Sequence, residues 1–112
     1  MARVVCAGHV NWDVTLHVDA LPDPDGEANI TEHCQAGGGS ASNTATALAG
    51  LGHEPVLLGS LGADRYAEFV EGELDEAGVE DRYLRRVPDR ETTVKYLVVD
   101  ESGEGFVLAN DG

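Results

Sequence analysis

Residues 37–52 read Gly37-Gly38-Gly39-Ser40-Ala41-Ser42-Asn43-Thr44-Ala45-Thr46-Ala47-Leu48-Ala49-Gly50-Leu51-Gly52, and this stretch decides the fold of the 112-residue chain. Three glycines precede a run of small residues in which alanine is frequent. Such a run predicts a closely packed helix, with Ser40 or Ser42 as its N-cap. Because glycine has no side chain, the glycines let a ligand approach the backbone closely. Alternatively, they form a tight strand-to-helix connection that binds nothing.

Apolar segments on both sides of this helix predict a parallel sheet. Residues 3–7 are apolar and rich in β-branched side chains, and residues 55–59 form a second short apolar run. In residues 64–77, apolar side chains recur at spacings of three and four, which predicts a helix. Residues 79–84 predict a further short strand. Because strands alternate with helices, we expect an α/β fold with a doubly wound parallel sheet.

Two alternating segments do not fit that layer. Residues 9–18 alternate between apolar and polar side chains, and after a turn rich in proline and acidic residues the chain returns. Residues 92–109 form a second predicted hairpin around a polar turn. Together, residues of approximately 10–35 and 92–110 predict a second, small sheet beside the main one.

The charge balance excludes several classes of partner. The chain has 7 Lys and Arg against 21 Asp and Glu, a formal net charge of −14. A phosphate backbone needs a basic patch, so we expect no nucleic-acid partner. The sequence has neither an apolar run of the ~18 residues that a membrane helix needs nor a signal peptide, so we expect a cytoplasmic protein. The acidic surplus fits an ordinary acidic domain or a halophilic protein adapted to high internal salt.

Cysteine and histidine give no metal-binding pattern. The two cysteines are too few for a disulfide framework. The four histidines do not recur at the spacing of metal ligands. We therefore predict no metal site in this chain.

A polar pair on the first alternating strand suggests a ligand site. Asn11 and Asp13 are two residues apart, so both project from the same face of a strand. A carboxylate accepts hydrogen bonds from hydroxyls and an amide both donates and accepts, so the pair suits a polyhydroxylated ligand. Asn43, behind the glycines, could join them. The alternative is a solvated strand face. Trp12 points to the opposite face, where we expect it to serve packing.

The order and spacing of these motifs resemble the N-terminal part of the ribokinase-like carbohydrate kinases, the PfkB family. Gly38-Gly39-Ser40-Ala41-Ser42-Asn43, followed by Gly52 and Gly62, meets every spacing of the family's first signature. Further similar pieces occur in order along the chain: Gly8-His9-Val10-Asn11-Trp12-Asp13, Leu21-Pro22, Gly26-Glu27, Gly62-Ala63-Asp64, Ala77-Gly78-Val79 and Thr92-Thr93. The resemblance therefore covers residues 1–112.

The resemblance implies a fold, an activity and a set of site residues. The fold would be the N-terminal part of a doubly wound, Rossmann-like ribokinase fold with a small β-sheet lid. The activity would be transfer of the ATP γ-phosphoryl group to a hydroxyl of a sugar or nucleoside, with Mg²⁺. The positions that match the family's acceptor-binding residues are Asn11, Asp13, Gly38, Gly39 and Asn43.

The resemblance also implies that part of the kinase lies elsewhere. The family's catalytic base is an Asp in a Gly-Ala-Gly-Asp segment of the C-terminal half, together with most of the ATP site, and nothing in this sequence matches that segment. We therefore expect a fragment that ends at Asn110-Asp111-Gly112, with no catalytic residue, no bound cofactor and no kinase activity on its own. The alternative is a stand-alone, non-catalytic sugar-binding or interaction module. We also expect a homodimer or larger assembly through the lid or an uncovered core face.

Overall fold

The computed structural model describes residues 2–110, which form nine elements in two sheets and two helices. The elements in chain order are β1 (Arg3–Ala7), β2 (Asn11–Val18), β3 (Ile30–Gly38), α1 (Ser40–Gly50), β4 (Glu54–Gly62), α2 (Arg65–Ala77), β5 (Leu84–Val87), β6 (Val94–Val99) and β7 (Gly105–Ala109). The family motif at residues 38–43 therefore spans the end of β3 and the start of α1. Met1, Asp111 and Gly112 lie outside the described residues, and the last two of them belong to the expected fragment end at Asn110-Asp111-Gly112.

The main sheet is parallel, with strand order β1-β4-β5. Cys6 and Leu57 project from one face into the apolar core, where the two helices contribute Ala45 and Val70. On the opposite face, Val5 is 61% accessible and Leu58 is 38% accessible, whereas Val56 is buried. The predicted α/β architecture is confirmed, and within residues 2–110 the helices cover one face of the main sheet.

A second sheet, here called the small sheet, has the strand order β3-β2-β6-β7. β2 is antiparallel to β3 and parallel to β6, and β6 is antiparallel to β7. Apolar and polar side chains alternate along β2 because one face of the strand packs against the core. On that face Trp12 and Val14 are buried, at 7% and 6% exposure. Both alternating segments of the sequence thus belong to one sheet that stands beside the main sheet.

The N-cap of α1 differs from the predicted one. Neither Ser40 nor Ser42 caps the helix: the N-cap is Gly39, which has a φ of +98° and no side-chain hydrogen bond to the helix. A Cβ at Gly39 would overlap the carbonyl oxygen of His9. The close approach of the chain before β2 therefore requires glycine, and glycine has no oxygen with which to cap.

The strand predicted at residues 79–84 is also wrong in position. Only Glu80 makes an isolated bridge, to Val56, and β5 starts at Leu84. The amide of Leu84 donates to the carbonyl of Asp81 at 2.9 Å, which closes a turn between the two pairings. The expectation of a strand after α2 is confirmed, but this turn places the strand further along the chain, at Leu84–Val87.

The helix predicted over residues 64–77 is confirmed as α2, which spans Arg65–Ala77. Asp64 is the N-cap, and its carboxylate accepts a hydrogen bond from the amide of Ala67 at 3.0 Å. Gly78 ends the helix in the left-handed conformation at a φ of +80°. At 13 residues, α2 is the longest helix within residues 2–110, and no helix there meets the length and hydropathy requirements of a membrane span.

Candidate functional site

A cavity of about 340 Å³ opens between β2 of the small sheet and the N-terminus of α1. It is lined by Asn11, Asp13, Gly39, Ser40, Asn43, Lys95, Leu97 and Val107. Four of the five residues predicted from the sequence therefore share one cavity wall. The fifth, Gly38, is buried and lies against the Asp13 carboxylate.

Asn11 and Asp13 form a hydrogen-bonded pair on one face of β2. The Asn11 side chain is 2% exposed, and its Nδ2 donates to Oδ1 of Asp13. Burial raises the pKa of the Asp13 carboxyl, an effect opposed by the positive charge of Lys95 and by the hydrogen bond from Asn11. The amide thus holds the carboxylate in one orientation at the cavity wall, where a carboxylate can accept hydrogen bonds from a ligand.

The two glycines before α1 give this pair its space. A Cβ at Gly38 would overlap the Asp13 carboxylate, and a Cβ at Gly39 would lie 2.9 Å from Oδ1 of Asn11. Gly38 is also the register partner of Asn11 across β2 and β3. Gly38 and Gly39 thus leave space for the side chains of Asp13 and Asn11. The sequence motif alone did not indicate this role.

Two further contacts at the site were absent from the sequence-based prediction. The amide of Gly37 donates to Oε1 of Glu73 on α2 at 3.0 Å, which fixes the glycine segment to that helix. Lys95 on β6 is the register partner of Asp13 on β2 and lines the cavity beside it. The alternation of residues 94–99 could have placed Lys95 and Leu97 on one face, but only the pairing of β2 with β6 brings that face to Asp13.

Trp12 lies on the other side of β2, as expected for packing. Its Nε1 donates to Oε1 of Gln35 at 2.8 Å, and its ring lies 5.3 Å from the ring of Phe69, centroid to centroid. This contact joins the small sheet to α2. The strand alternation therefore separates a polar cavity face from an apolar packing face.

Comparison with known proteins assigns the family. The model of the pfkB family carbohydrate kinases matches residues 1–112. The chain belongs to this family. An ATP-dependent ribose-1-phosphate kinase of Halopiger xanaduensis is 54% identical over 112 residues, which are 100% of this chain and 38% of that relative. A ribokinase of Staphylococcus aureus is 24% identical over 98% of this chain and 36% of its own length.

Solved pfkB-type structures agree with the fold. A nucleoside kinase of Methanocaldococcus jannaschii superposes with a TM-score of 0.85 at 24% identity, over 98% of this chain and 37% of that structure. A ribokinase of Cryptococcus neoformans in complex with ADP gives a TM-score of 0.82 at 27% identity, over 98% of this chain and 35% of that structure. The chain thus spans well under half the length of these relatives and matches the N-terminal portion of the ribokinase fold.

Proposed function

We propose that the whole protein transfers the γ-phosphoryl group of ATP to a hydroxyl of a sugar or nucleoside, and that this chain supplies the acceptor-binding residues. In this reaction the acceptor oxygen forms a bond to the γ-phosphorus, the bond from that phosphorus to the β,γ-bridging oxygen breaks, ADP leaves, and the hydroxyl proton is released. The observation that carries the proposal is the hydrogen-bonded, partly buried Asn11–Asp13 pair in a cavity at the N-terminus of α1.

The arrangement suits positioning of the acceptor. The Asp13 carboxylate can accept hydrogen bonds from two hydroxyls, and the Asn43 amide at the cavity wall can donate and accept. Asn11 keeps Asp13 in one orientation. Holding two hydroxyls fixes which other hydroxyl faces the phosphoryl donor, and phosphoryl transfer depends mainly on such positioning and on charge stabilisation.

Ribose 1-phosphate is the first acceptor to test, because the 54% identical relative is named for it. ATP as phosphoryl donor is supported by the same name. Among residues 2–110, no group of three His, Cys, Asp or Glu side chains is arranged to hold a metal ion. We propose that ATP, Mg²⁺ and the catalytic base are held mainly by other residues of the whole protein, and that the small sheet acts as a lid over the acceptor.

The alternative function, a non-catalytic sugar-binding module, uses the same cavity. The two functions differ in whether the residues for phosphoryl transfer belong to the same gene product. The intact mass of the protein from its source cell, set against 11.8 kDa for this chain, distinguishes them. A considerably larger mass supports the kinase, and a mass of 11.8 kDa supports the binding module.

The acceptor site is tested by substituting Asp13→Asn in the whole protein. Loss of the carboxylate removes charge-assisted hydrogen bonds, so the affinity for ribose 1-phosphate is expected to fall about tenfold to a hundredfold. Ligand-induced thermal stabilisation and steady-state kinetics measure the change. Asp23→Asn, in the exposed turn before β3, makes the same change of charge away from the cavity and serves as the control. Equal affinities in the two variants would contradict the site assignment.

A further inference from the structure

A second and larger cavity, here called the cationic cleft, adjoins the candidate acceptor site. It has a volume of about 630 Å³ and lies where β1, β4 and β5 end, against the base of the small sheet. The carboxyl ends of parallel strands are where α/β proteins bind ligands. Arg85, Arg90, Lys95 and His9 line the cleft, and Glu91 is the single carboxylate among its described lining residues.

The concentration of cations here contrasts with the rest of the chain. Three of the 7 Lys and Arg residues line this cleft in a chain of net charge −14. Elsewhere Arg82 pairs with Glu80 at 2.6 Å, and Arg86 pairs with Glu71 at 2.8 Å. Within residues 2–110, neither Arg85 nor Lys95 lies within ion-pair distance of a carboxylate. The cleft thus concentrates positive charge at one place on an acidic molecule.

Lys95 connects the cleft to the acceptor site. It lines both cavities, and it is the register partner of Asp13 across β2 and β6. Its charge acts on the Asp13 carboxyl, whose pKa it lowers against the effect of burial. A sugar whose hydroxyls bind Asp13 would therefore lie in the cavity that Lys95 lines, next to the cleft that Arg85 and Arg90 line.

We propose that the cationic cleft binds a phosphate group carried by the acceptor, so that the substrate is a sugar phosphate and Lys95 determines the preference for it over the free sugar. This inference rests on the proposed kinase function and adds the residues of a phosphate subsite to it. A dianionic phosphate matches the guanidinium and ammonium donors of the cleft in charge, whereas an uncharged sugar offers them only neutral hydrogen-bond acceptors. The phosphates of ATP have the same chemistry, so the test separates the two sources.

The test compares Lys95→Met with wild type in the whole protein. Methionine keeps the unbranched side chain as far as Cε and removes the charged ammonium group. The KM for ribose 1-phosphate is expected to rise about tenfold to a hundredfold, because a hydrogen bond to a charged group is lost. The KM for ribose should rise by a smaller factor, because the free sugar has no phosphate group to bind Lys95, and the KM for ATP should change within about twofold. Thermal stabilisation by each of the three compounds, measured separately, gives a readout independent of turnover.

The matched control is Arg82→Gln, which also removes one positive charge. Arg82 is exposed, pairs with Glu80 and lies over the ring of Tyr83, outside the cleft. Its kinetic constants are expected to stay within about twofold of wild type. A control that changes as much as Lys95→Met would overturn the proposal, because the effect would then reflect net charge.

Three further outcomes would each overturn the inference while leaving the kinase function intact. These are an active Lys95→Met enzyme with unchanged preference for ribose 1-phosphate over ribose, equal losses for both sugars, and a rise confined to the KM for ATP. The last outcome would assign the cleft to the nucleotide. Absence of sugar-dependent turnover in the wild-type protein would instead contradict the proposed function itself.

Discussion

The position of the Asp13 carboxylate depends on a neighbour that lacks a side chain. Gly38 is buried directly against it, so the methyl group of Gly38→Ala would overlap the carboxylate and displace it. We expect the affinity for the acceptor to fall about tenfold, which corresponds to a loss of about 1.4 kcal/mol. Ligand-induced thermal shifts measure this.

Gly72→Ala provides the matched control for this substitution. A Cβ at Gly72 meets nothing within 4 Å, and the residue lies inside α2. Alanine there should leave binding unchanged and stabilise the fold by about 0.5–1 kcal/mol, because glycine loses more conformational freedom in a helix. A loss of binding in Gly72→Ala, or full binding in Gly38→Ala, would contradict the role assigned to Gly38.

Two acidic residues, Asp75 of α2 and Asp81 in the turn before β5, make the stability of the fold depend on pH. Burial, the hydrogen bond to Asp75 and the charges of Asp75 and Glu71 raise the pKa of Asp81 to about 6. In an unfolded chain the pKa of an Asp carboxyl is about 3.9. Protonated Asp81 therefore contributes its full stabilisation below that pH, and the contribution is lost as the pH rises through about 6.

Asp81→Asn is therefore expected to be more stable than wild type at pH 7.5. The amide keeps a hydrogen bond to Asp75 and removes the charge repulsion, for a gain of about 1 kcal/mol or roughly 4 °C in melting temperature. Thermal melts between pH 4 and pH 8 measure this, and the difference should shrink toward low pH. Asp89→Asn, in the exposed turn after β5, is the control. A constant difference across this range would contradict the assignment.

One buried hydrogen-bond network joins α2, β4 and the segment that leads into β6. The Thr92 hydroxyl donates to Oδ1 of Asp64 at 2.7 Å and accepts from the amide of Gly62 at 2.9 Å, while the Thr92 amide donates to Oδ2 of Asp64 at 2.8 Å. Burial raises the pKa of Asp64, but the hydrogen bonds from Thr92 and Ala67 outweigh it and place that pKa below its ordinary value. The network fixes the small sheet to the main layer.

Thr92→Val should weaken this junction without changing side-chain volume. Removal of the hydroxyl leaves the Gly62 amide without its partner, and we expect a loss of about 1–3 kcal/mol in the free energy of unfolding. Urea unfolding measures it. Thr93→Val is the adjacent control, because the Thr93 side chain has no hydrogen bond within residues 2–110. Equal stability of the two variants would contradict this account.

Periodicity predicted the elements whose environment is set locally. The two faces of β2 and the extent of α2 were predicted from the sequence, because strand alternation and helical spacing act within a few positions. The start of β5 depended on a turn at Asp81 that no apolar pattern encodes. In the site, Lys95 was not predicted, because its position opposite Asp13 depends on the pairing of β2 with β6, which the sequence pattern does not give.

The molecule carries exposed apolar surface on both of its sheets. Tyr96, Phe106 and Leu108 are 39%, 47% and 57% exposed on the face of the small sheet that also carries Trp12. Val5 on the main sheet is 61% exposed. β7 is an edge strand whose five residues are all exposed. Contiguous apolar patches and unpaired edges favour association, so we propose that the 112-residue chain forms at least a dimer.

Light scattering tests this assembly, with a mass near twice 11.8 kDa or above as the expected result. Leu108→Lys should shift the chain toward the monomer if the copies meet through the small sheet, and Val5→Lys should do so if they meet through the main sheet. Each variant is the control of the other, because both add one positive charge to an exposed strand position. A monomeric wild-type chain at working concentration would contradict the proposal.

The contact of Trp12 with Phe69 and Gln35 gives the molecule a built-in optical reporter. Trp12 is the single tryptophan of the chain, and it lies where the small sheet meets α2. Indole emission shifts when the ring exchanges a buried environment for water, so any movement of the small sheet away from α2 would change its wavelength. Stopped-flow fluorescence could therefore follow the closing and opening of this sheet in real time, without a dye or a label.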